Sequence, residues 1–470
     1  MKQSTLPWRT RKGTLAPNAV PGSQTLWEDD PQWVQLKRSL ENCSCKLQVI
    51  ELCGGLGTAF LALRMILPIH CTELVGHWDT DFDLAQVLNA VHPDATDRLH
   101  LGSIEGDILK WDIAQFPNCH VLVAGPPCPP FSKLGRKQAF EDPRATVLWR
   151  CIDICTHLAT NGPLILFVLE NVDGLRSRQQ GAAQSPCDII MQDLVEGLDA
   201  DWSVSAISCN SLDYGLPQRR PRTYIIARRI SLTGKQEPRV PQFESRVPLH
   251  RFLDTHDTSD VLANTDLQQR NLTDWKQWYK STFPEHNESH DYAVVDISRT
   301  PTARTTWSSK GTPPGIVQCL TTSGPNLHVF ALQAEHDNAI DRRLRTVESA
   351  RLQGFPPSVC DMVRESKEWK RFIGNAMSVP VIGIVLATQI NNMIECGSGM
   401  FARCVQLRGV AISSTDHASL ATSTSTSSLC CVPHATSEAA DAADCDDCLL
   451  PKRRRISTQD INSNQWCVKG

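Results

Sequence analysis

The chain lacks an unbroken apolar run of about 18 residues, which is the length that a membrane-spanning helix requires. Its first segment, Met1–Gly13, is polar and basic and contains no apolar core of a secretion signal. We therefore expect neither membrane insertion nor secretion. Without a secretion signal, the 19 cysteines are expected to be reduced thiols and not a disulfide framework.

An excess of one charge is also missing, since 47 Lys and Arg stand against 51 Asp and Glu. The overall charge therefore does not predict a polyanion partner. A nucleic-acid-binding site would have to come from local basic clusters, such as residues 219–229 or 342–351. We find no internal repeat. Cys445 and Cys448 have metal-like spacing but no second pair nearby, so no metal site is predicted. What the chain does have is 41% hydrophobic residues, enough for one large or two moderate globular domains.

Strand and helix patterns alternate from Leu47 onward. Strands are predicted at Leu47–Leu52, Glu73–Trp78, Val121–Ala124, Leu164–Leu169, Ser203–Ser208 and Tyr224–Ala227, and helices at Ala59–Leu67, Asp83–Val91 and Val147–Ala159. This alternation predicts an α/β fold with a doubly wound, mostly parallel sheet. Helical patterns return at Asp341–Leu352 and Val379–Met393 and would complete the sheet domain.

Three intervals break the alternation. Residues 1–45 predict a flexible N-terminal arm with a docking helix around Trp33–Leu40. Residues 231–315 are polar, carry scattered tryptophans and lack a strong period. Ser, Thr, Ala and Asp dominate residues 411–470, and a disordered tail is predicted over residues 396–470. The tail holds a basic cluster at 452–455 that could be a nuclear import signal.

The segment Gly125-Pro126-Pro127-Cys128-Pro129-Pro130-Phe131-Ser132 follows a buried strand. It places a thiol at the carboxyl end of a strand, where open α/β sheets carry reactive groups, on a loop that prolines stiffen. The alternative interpretation is a proline-rich turn with an incidental buried thiol, because free cysteine is often a small core residue.

Further motifs follow in a fixed order. They are Glu170-Asn171-Val172, Gln218-Arg219-Arg220-Pro221-Arg222, Arg351-Leu352-Gln353-Gly354-Phe355-Pro356 and Gly374-Asn375-Ala376. Together with the cysteine loop, they resemble the cytosine-5 methyltransferase family from about Val49 to about Ile390. The resemblance implies a Rossmann-like catalytic domain at 46–230 and 326–395, with a smaller target-recognition domain inserted at 231–325.

The resemblance also implies catalytic roles. Cys128 would add to carbon 6 of cytosine, so that carbon 5 can accept a methyl group. Its thiolate form should be favoured by nearby positive charge. Glu170, protonated or sharing a proton, would hydrogen-bond ring nitrogen 3 and the exocyclic amine. Arg222 would hold the cytosine oxygen, and Arg220 would have a supporting or phosphate role.

S-adenosylmethionine is the implied cofactor. The segment Glu51-Leu52-Cys53-Gly54-Gly55-Leu56-Gly57 resembles the family's first cofactor loop, although such a glycine loop alone would fit a dinucleotide about as well. Cys53 stands where the family usually has phenylalanine. Asp79 is the residue implied to bind the ribose hydroxyls, and Trp78 is the implied adenine partner. The predicted cofactor-binding residues are Glu51, Cys53, Gly55, Gly57, Asp79, Asp107, Pro127 and Asn375.

The implied partner is duplex DNA with the target base flipped out. Phe131, Ser132 and Gln218 are predicted to contact it. A tRNA-methylating branch has threonine after the phenylalanine of the cysteine loop, whereas this chain has Ser132. Transfer RNA and a non-catalytic scaffold remain the two alternatives. Glu348 is expected to hold the recognition domain against Arg351 or a neighbouring residue.

Overall fold

The computed structural model describes residues 25–397 except 42–45, 129–139, 141, 179–180, 255–262, 285–291, 302–311, 323–325 and 333–339. Its strands are β1 Leu47–Leu52, β2 Thr72–Asp79, β3 Leu99–Leu101, β4 Val121–Ala124, β5 Leu166–Val172, β6 Trp202–Asn210, β7 Gln218–Arg219, β8 Pro221–Arg229, β9 Tyr292–Asp296, β10 Val317–Gln318, β11 Leu327–Ala331 and β12 Asp341–Arg343. Its helices are α1 Pro31–Leu40, α2 Thr58–Ile66, α3 Ala85–Val91, α4 Gly102–Glu105, α5 Ala145–Asn161, α6 Pro186–Gly197, α7 Ile230–Thr233, α8 Asp266–Thr282, α9 Thr346–Leu352, α10 Pro357–Cys360, α11 Lys367–Asn375 and α12 Val379–Gly397.

A seven-stranded sheet in the order β3-β2-β1-β4-β5-β8-β6 forms the centre of the fold. Strands β3, β2, β1, β4 and β5 pair in parallel, whereas β8 runs antiparallel to β5 and β6. The predicted α/β fold with a doubly wound, mostly parallel sheet is therefore confirmed. The order reverses at β1, and the carboxyl ends of β1 and β4 meet where such folds bind ligands.

The two faces of this sheet are covered by different helices. Successive side chains of a strand point to opposite faces, so Val49 packs with α2 and α12 while Ile50 packs with α5 and α6. Both residues are fully buried. Burial on both faces explains why the central strand β4, Val121–Ala124, is an unbroken apolar run.

Helix α12 lies within the first of these cores. Most of α12 belongs to the segment Lys367–Glu395, which is long and apolar enough to cross a membrane, with a mean hydropathy of 1.6 over its 18-residue apolar window. However, 94% of its apolar window is buried inside the fold. This burial is typical of a core helix. The described part of the chain therefore does contain one long apolar segment, and that segment lies inside the fold.

The predicted N-terminal arm is partly wrong, because its second half is docked. The predicted docking helix is confirmed as α1, and Trp33 is 1% exposed beneath it. Trp27 is equally buried, packs edge-on against Trp33 with ring centroids 4.7 Å apart, and donates from its indole nitrogen to the carbonyl of Gly354. Burial of two indole rings fixes residues 25–41 on the catalytic domain.

A three-stranded antiparallel sheet in the order β12-β11-β9 is the second structural unit, and with α8 it has its own small core. We call α8, β9, β11 and β12 the small-sheet unit. Trp275 and Tyr279 of α8 pack on Phe330 of β11 in that core. The interval predicted to lack a period thus contains a helix of 17 residues, and the predicted boundary at 325 divides a single sheet.

Two predicted elements have different bounds in the structure. The helix expected over Asp341–Leu352 begins only at Thr346, because residues 341–343 pair with β11 and Glu348 caps the helix start. The strand expected to end at Leu169 continues to Val172, because β8 pairs with it as far as Arg222. Glu170 therefore lies within a strand and not after one.

Candidate active site

The loop that carries Cys128, called the cysteine loop, is described over residues 125–128 and leaves the sheet at the carboxyl end of β4. Its described part is held by two hydrogen bonds: Gly125 donates its amide to the Leu52 carbonyl at 3.0 Å, and the side-chain amide of Asn171 donates to the Pro126 carbonyl at 3.2 Å. Cys128 is thereby fixed between β1 and β5. Pro127 lies beside it and is partly buried, whereas Phe131 and Ser132 lie outside the described residues.

Glu170 and Arg222 form an ion pair next to this loop. Arg222 Nε lies 3.1 Å from Glu170 Oε1, and both side chains are nearly buried, at 13% and 12% exposure. Neighbouring strands bring them together, because β5 pairs with β8 in a register that matches Val172 with Arg222. Arg222 also donates to the Pro221 carbonyl and to the Cys319 sulfur. The pair orients a carboxylate and a guanidinium group toward one site.

The charges around Cys128 act in both directions. Burial raises the pKa of the Cys128 thiol above its ordinary value, and Glu170 raises it further, while Arg222 and Arg220 lower it. Burial outweighs the arginines, so the expectation of a lowered pKa is wrong for the site as it stands. The two arginines limit the cost of forming the thiolate, but they do not form it by themselves.

Arg220 is a buried connector, 2% exposed. Its Nη1 donates to the Leu320 carbonyl at 2.8 Å and to the Cys319 sulfur at 3.4 Å. Its Nη2 donates to the carbonyls of Gly374 at 3.1 Å and Ala376 at 2.7 Å. Of the two roles predicted for Arg220, the supporting role fits these bonds, and a phosphate contact does not.

Gln218 is fully buried as well. Its amide nitrogen donates to the Leu352 carbonyl at 2.8 Å, and its amide oxygen accepts from the backbone of Leu320 at 3.3 Å. The side chains at 218, 220 and 222 face inward, whereas Arg219 between them is exposed. The predicted contact between Gln218 and nucleic acid is contradicted by its burial.

The glycine loop after β1 is organised by Glu51. One carboxylate oxygen accepts from the amides of Ala59 at 2.8 Å and Phe60 at 2.9 Å, at the start of α2, and the other lies 3.0 Å from His77 Nδ1. An acid at a helix start stabilises it by charge and by hydrogen bonding. Glu51 thus stabilises the glycine loop through its contacts with the start of α2 and with His77.

Cys53 has a φ of 53°, a conformation that L side chains rarely adopt, and it is the one such non-glycine residue in the described part of the chain. Its side chain packs against the core formed with α5, beside the thiol of Cys151. Gly57 also has positive φ, and a Cβ there would lie 2.6 Å from His92 Nε2. The loop therefore turns sharply with its backbone outermost, which lets a ligand approach it closely.

Two acids lie at the same edge of the sheet. Asp79 ends β2, where its carboxylate accepts from the amides of Gly55 and Asp81, both at 2.9 Å, and burial raises its pKa. A Cβ on Gly106 would lie 1.9 Å from the Asp79 carbonyl, so the missing side chain lets Asp107 come close. The structure thus brings the two predicted acids together with the glycine loop.

Trp78 is fully buried and stacks on His100 with ring centroids 4.5 Å apart, so the idea that it contacts adenine is wrong. The exposed ring nearby is Phe82, with 71% exposure. It stands between Asp81 and Asp83, both of which pair with Arg371 of α11, at 2.8 and 3.1 Å. The sequence feature that could have identified Phe82 is its position between Asp81 and Asp83, because two flanking acids indicate an exposed segment.

Asn375 is the last residue of α11 and is exposed. The helix end that carries it approaches the backbone of Thr321 so closely that a Cβ on Gly374 would lie 2.5 Å from it. Arg220 holds the carbonyls on both sides of Asn375, at Gly374 and Ala376. Asn375, which is predicted to lie at the cofactor edge, is thereby linked to Arg220.

Glu348 has a structural partner other than the one expected. It is fully buried and forms a two-pronged ion pair with Arg342, at 2.5 and 3.0 Å. Arg351 instead binds Asp254 at 2.6 Å, as does Arg345 at 3.2 Å. Because Arg342 lies on β12, the Glu348 carboxylate does hold the small-sheet unit against α9.

Cys128, the ion pair of Glu170 and Arg222, and the glycine loop lie along one edge of the sheet. Comparison with known proteins identifies the family of the chain. The model of the family "C-5 cytosine-specific DNA methylase" matches residues 47–391. The chain belongs to this family. It is an enzyme that transfers a methyl group from S-adenosylmethionine to carbon 5 of cytosine.

Similar curated proteins carry the same kind of name. The Type II methyltransferase M1.ScrFI of Lactococcus lactis subsp. cremoris is 28% identical over 59% of this chain and 64% of its own length. The Type II methyltransferase M.NlaX of Neisseria lactamica is 26% identical over 71% of this chain and 93% of its own. M.HhaI of Haemophilus parahaemolyticus is 27% identical over 59% and 78%. Among solved structures, the methyltransferase EhMeth of Entamoeba histolytica is 18% identical with a TM-score of 0.47, covering 74% and 98%.

The donor set at the sheet edge suits the methyl donor of this family. A sulfonium cofactor with an adenosine group needs hydrogen-bond acceptors for ribose and for the adenine amine, and an apolar surface for the ring. Asp79, Asp107 and the exposed ring of Phe82 offer these groups. No group of three His, Cys, Asp or Glu among the described residues could hold a metal ion.

Proposed function

We propose that this methyltransferase acts on a cytosine flipped out of duplex DNA, with Cys128 as the nucleophile. The observation that carries the proposal is the pair between Arg222 and Glu170 at 3.1 Å beside the cysteine loop. A protonated carboxyl group can bind ring nitrogen 3 and the exocyclic amine of a cytosine, and a guanidinium group can bind its carbonyl oxygen. With Glu170 protonated, the two groups together match the hydrogen-bonding edge of cytosine.

The chemistry needs a thiolate and a proton. The Cys128 sulfur would add to carbon 6 while the ring gains a proton at nitrogen 3 from Glu170, and carbon 5 would then accept the electrophilic methyl group that S-adenosylmethionine supplies when bound. A base would remove the proton from carbon 5, the carbon–sulfur bond would break to release the Cys128 thiolate, and the proton on nitrogen 3 would return to Glu170. Because burial raises the Cys128 pKa, proton loss from this thiol should accompany base binding.

We assign cofactor contacts to the groups at the loop edge. The predicted cofactor contacts that we keep are Gly55, Gly57, Asp79, Asp107, Pro127 and Asn375. Phe82 replaces Trp78 as the proposed partner of the adenine ring, and Cys53 lines the loop. Glu51 acts through the loop, since it binds the start of α2 and His77. The cofactor supplies an electrophilic methyl group, and these residues hold it next to the cysteine loop.

The small-sheet unit is our candidate for the target-recognition domain, with bounds extended to 343. It is joined to the catalytic domain through Glu348 and Arg342 and through the segment that ends in Leu320. Phe131 and Ser132 remain predicted DNA contacts. Flipping a base costs a few kcal/mol, which contacts to phosphates and to the extruded base would offset.

The test follows transfer of a labelled methyl group from S-adenosylmethionine to duplex DNA, tRNA and a single strand. A duplex with 5-fluorocytosine would trap the covalent Cys128 adduct, because fluorine cannot leave as a proton does. We expect label on duplex DNA and a trapped complex, with both lost in Cys128→Ala. Cys187→Ser, which alters a buried thiol on α6, is the matched control.

The same experiment separates the alternatives. Label on tRNA alone would keep the covalent chemistry and replace the substrate. Bound cofactor with no label on any substrate would favour a scaffold that only binds nucleic acid. A trapped complex that persists in Cys128→Ala would contradict the role of Cys128.

A nuclear location stays a further proposal, supported by the basic cluster at 452–455, which lies outside the described residues. In a eukaryotic cell, a fluorescent fusion of the full chain should enter the nucleus. Replacing these four residues with alanine should leave it in the cytoplasm, and unchanged nuclear uptake would refute the assignment.

A further inference from the structure

Cys319 is a second thiol within the catalytic cluster. It follows β10, which pairs in parallel with β7 so that Val317 lies opposite Gln218 and the next residue opposite Arg219. Continuing that register brings Cys319 to Arg220. The sequence by itself assigns this residue no role.

The Cys319 sulfur contacts both catalytic arginines. Arg220 Nη1 lies 3.4 Å from it and Arg222 Nη2 lies 3.7 Å from it, both within hydrogen-bond range for sulfur. The thiol itself can donate to the Leu320 carbonyl at 3.4 Å. Cys319 is only partly buried, so the cluster is open on one side.

The two thiols share the same positive charges. Arg220 and Arg222, on the β7–β8 segment, face Cys319. The same two guanidinium groups also face Glu170 on β5 and Cys128 on the cysteine loop. The arginines lower the pKa of Cys319 below its ordinary value against the effect of burial. For Cys128, by contrast, burial wins. A negative charge on Cys319 would therefore reduce the positive charge that Cys128 experiences.

We propose that Cys319 is a positioning residue for methyl transfer, whose sulfur holds Arg220 and Arg222 from the recognition-domain side and competes with Cys128 for their charge. The proposal rests on the assigned role of Cys128 as nucleophile. It links the small-sheet unit to catalysis, since β10 lies in the chain between β9 and β11. A shift of the segment after β10 would move the acceptor away from the arginines and release their charge to Cys128.

Two substitutions separate the two parts of the role. Cys319→Ser keeps a hydrogen-bond acceptor for the arginines but does not ionise. Cys319→Ala removes the acceptor as well. Cys187→Ser is the control, because its thiol lies on α6 away from both arginines. Cys319→Thr serves as a second non-ionising variant if the serine variant does not fold.

The first measurement is the rate at which iodoacetamide alkylates Cys128, followed by mass spectrometry from pH 6 to 10 without DNA or cofactor. In Cys319→Ser the rate profile should shift to lower pH, with Cys128 reacting about threefold or more faster near neutral pH, equivalent to half a pKa unit. The control should match the unaltered protein. Coincident profiles for the serine variant and the unaltered protein would overturn the proposal.

The second measurement is single-turnover methyl transfer to duplex DNA across the same pH range. Cys319→Ser should keep its maximal rate and shift its profile to lower pH. Cys319→Ala should lose maximal rate, because Arg222 loses an acceptor, with little change in DNA affinity. Equal maximal rates in both variants would contradict the positioning role. Failure of the proposed function would show separately, as methyl transfer or adduct formation that survives Cys128→Ala.

Discussion

The substitution Arg220→Lys tests whether this arginine is a connector or a phosphate contact. Arg220 makes four side-chain hydrogen bonds, two to the 319–320 segment and two to the carbonyls on either side of Asn375. A lysine ammonium is a single point of charge and can serve only one of these two segments. Two bonds from a charged, buried donor would be lost, each worth about 1.5–3 kcal/mol. We expect the free energy of unfolding to fall by about 3 kcal/mol.

The assay is urea unfolding, followed by circular dichroism, together with calorimetric titration of S-adenosylmethionine. Cofactor affinity should fall about tenfold, which corresponds to about 1.4 kcal/mol, because the carbonyls that Arg220 holds flank Asn375. Arg219→Lys is the matched control, since Arg219 is the exposed neighbour. If Arg220→Lys left both quantities unchanged and instead reduced the salt dependence of DNA binding by about one phosphate, the reasoning would be refuted.

Three further predictions concern stability and the cofactor edge. Gly106→Ala should lower S-adenosylmethionine affinity at least about tenfold, because its Cβ would meet the Asp79 carbonyl at 1.9 Å; calorimetric titration showing unchanged affinity would contradict this. Arg342→Ala and Glu348→Ala should each cost about 3–5 kcal/mol in unfolding free energy, and the double variant clearly less than their sum; an additive double-mutant cycle would rule out the pair. Burial lowers the pKa of His120 to about 4, so on acidification the unfolded chain binds a proton at His120 before the folded chain does. The neutral, buried His120 therefore contributes about 3 kcal/mol to the free energy of unfolding, and this contribution is lost as pH falls from about 6.5 to 4. His120→Asn should flatten that part of the stability profile measured by urea unfolding, and a profile as steep as before would count against it.

The sequence alone predicted an α/β fold with a mostly parallel sheet and supplied the candidates for the reacting groups. Parallel strands buried on both faces are mostly apolar, so β1 and β4 could be assigned to Leu47–Leu52 and Val121–Ala124, the bounds that the structure gives them. Cys128 and Glu170 were predicted as reacting groups because they lie in short motifs whose order resembles that of the cytosine-5 methyltransferase family. Such information is local, since it depends on neighbours within a few residues.

What depends on distant contacts was decided only by the tertiary structure. Gln218 and Arg220 are polar residues in a basic run, which predicts exposure, yet their backbone partners lie more than 90 residues away and bury them. Cys319 acquires its role because strand pairing sets it against the two arginines, and no local pattern encodes that register. The sign of the Cys128 pKa shift is of the same kind. Burial and charge compete there, and only the packed surroundings determine which is larger.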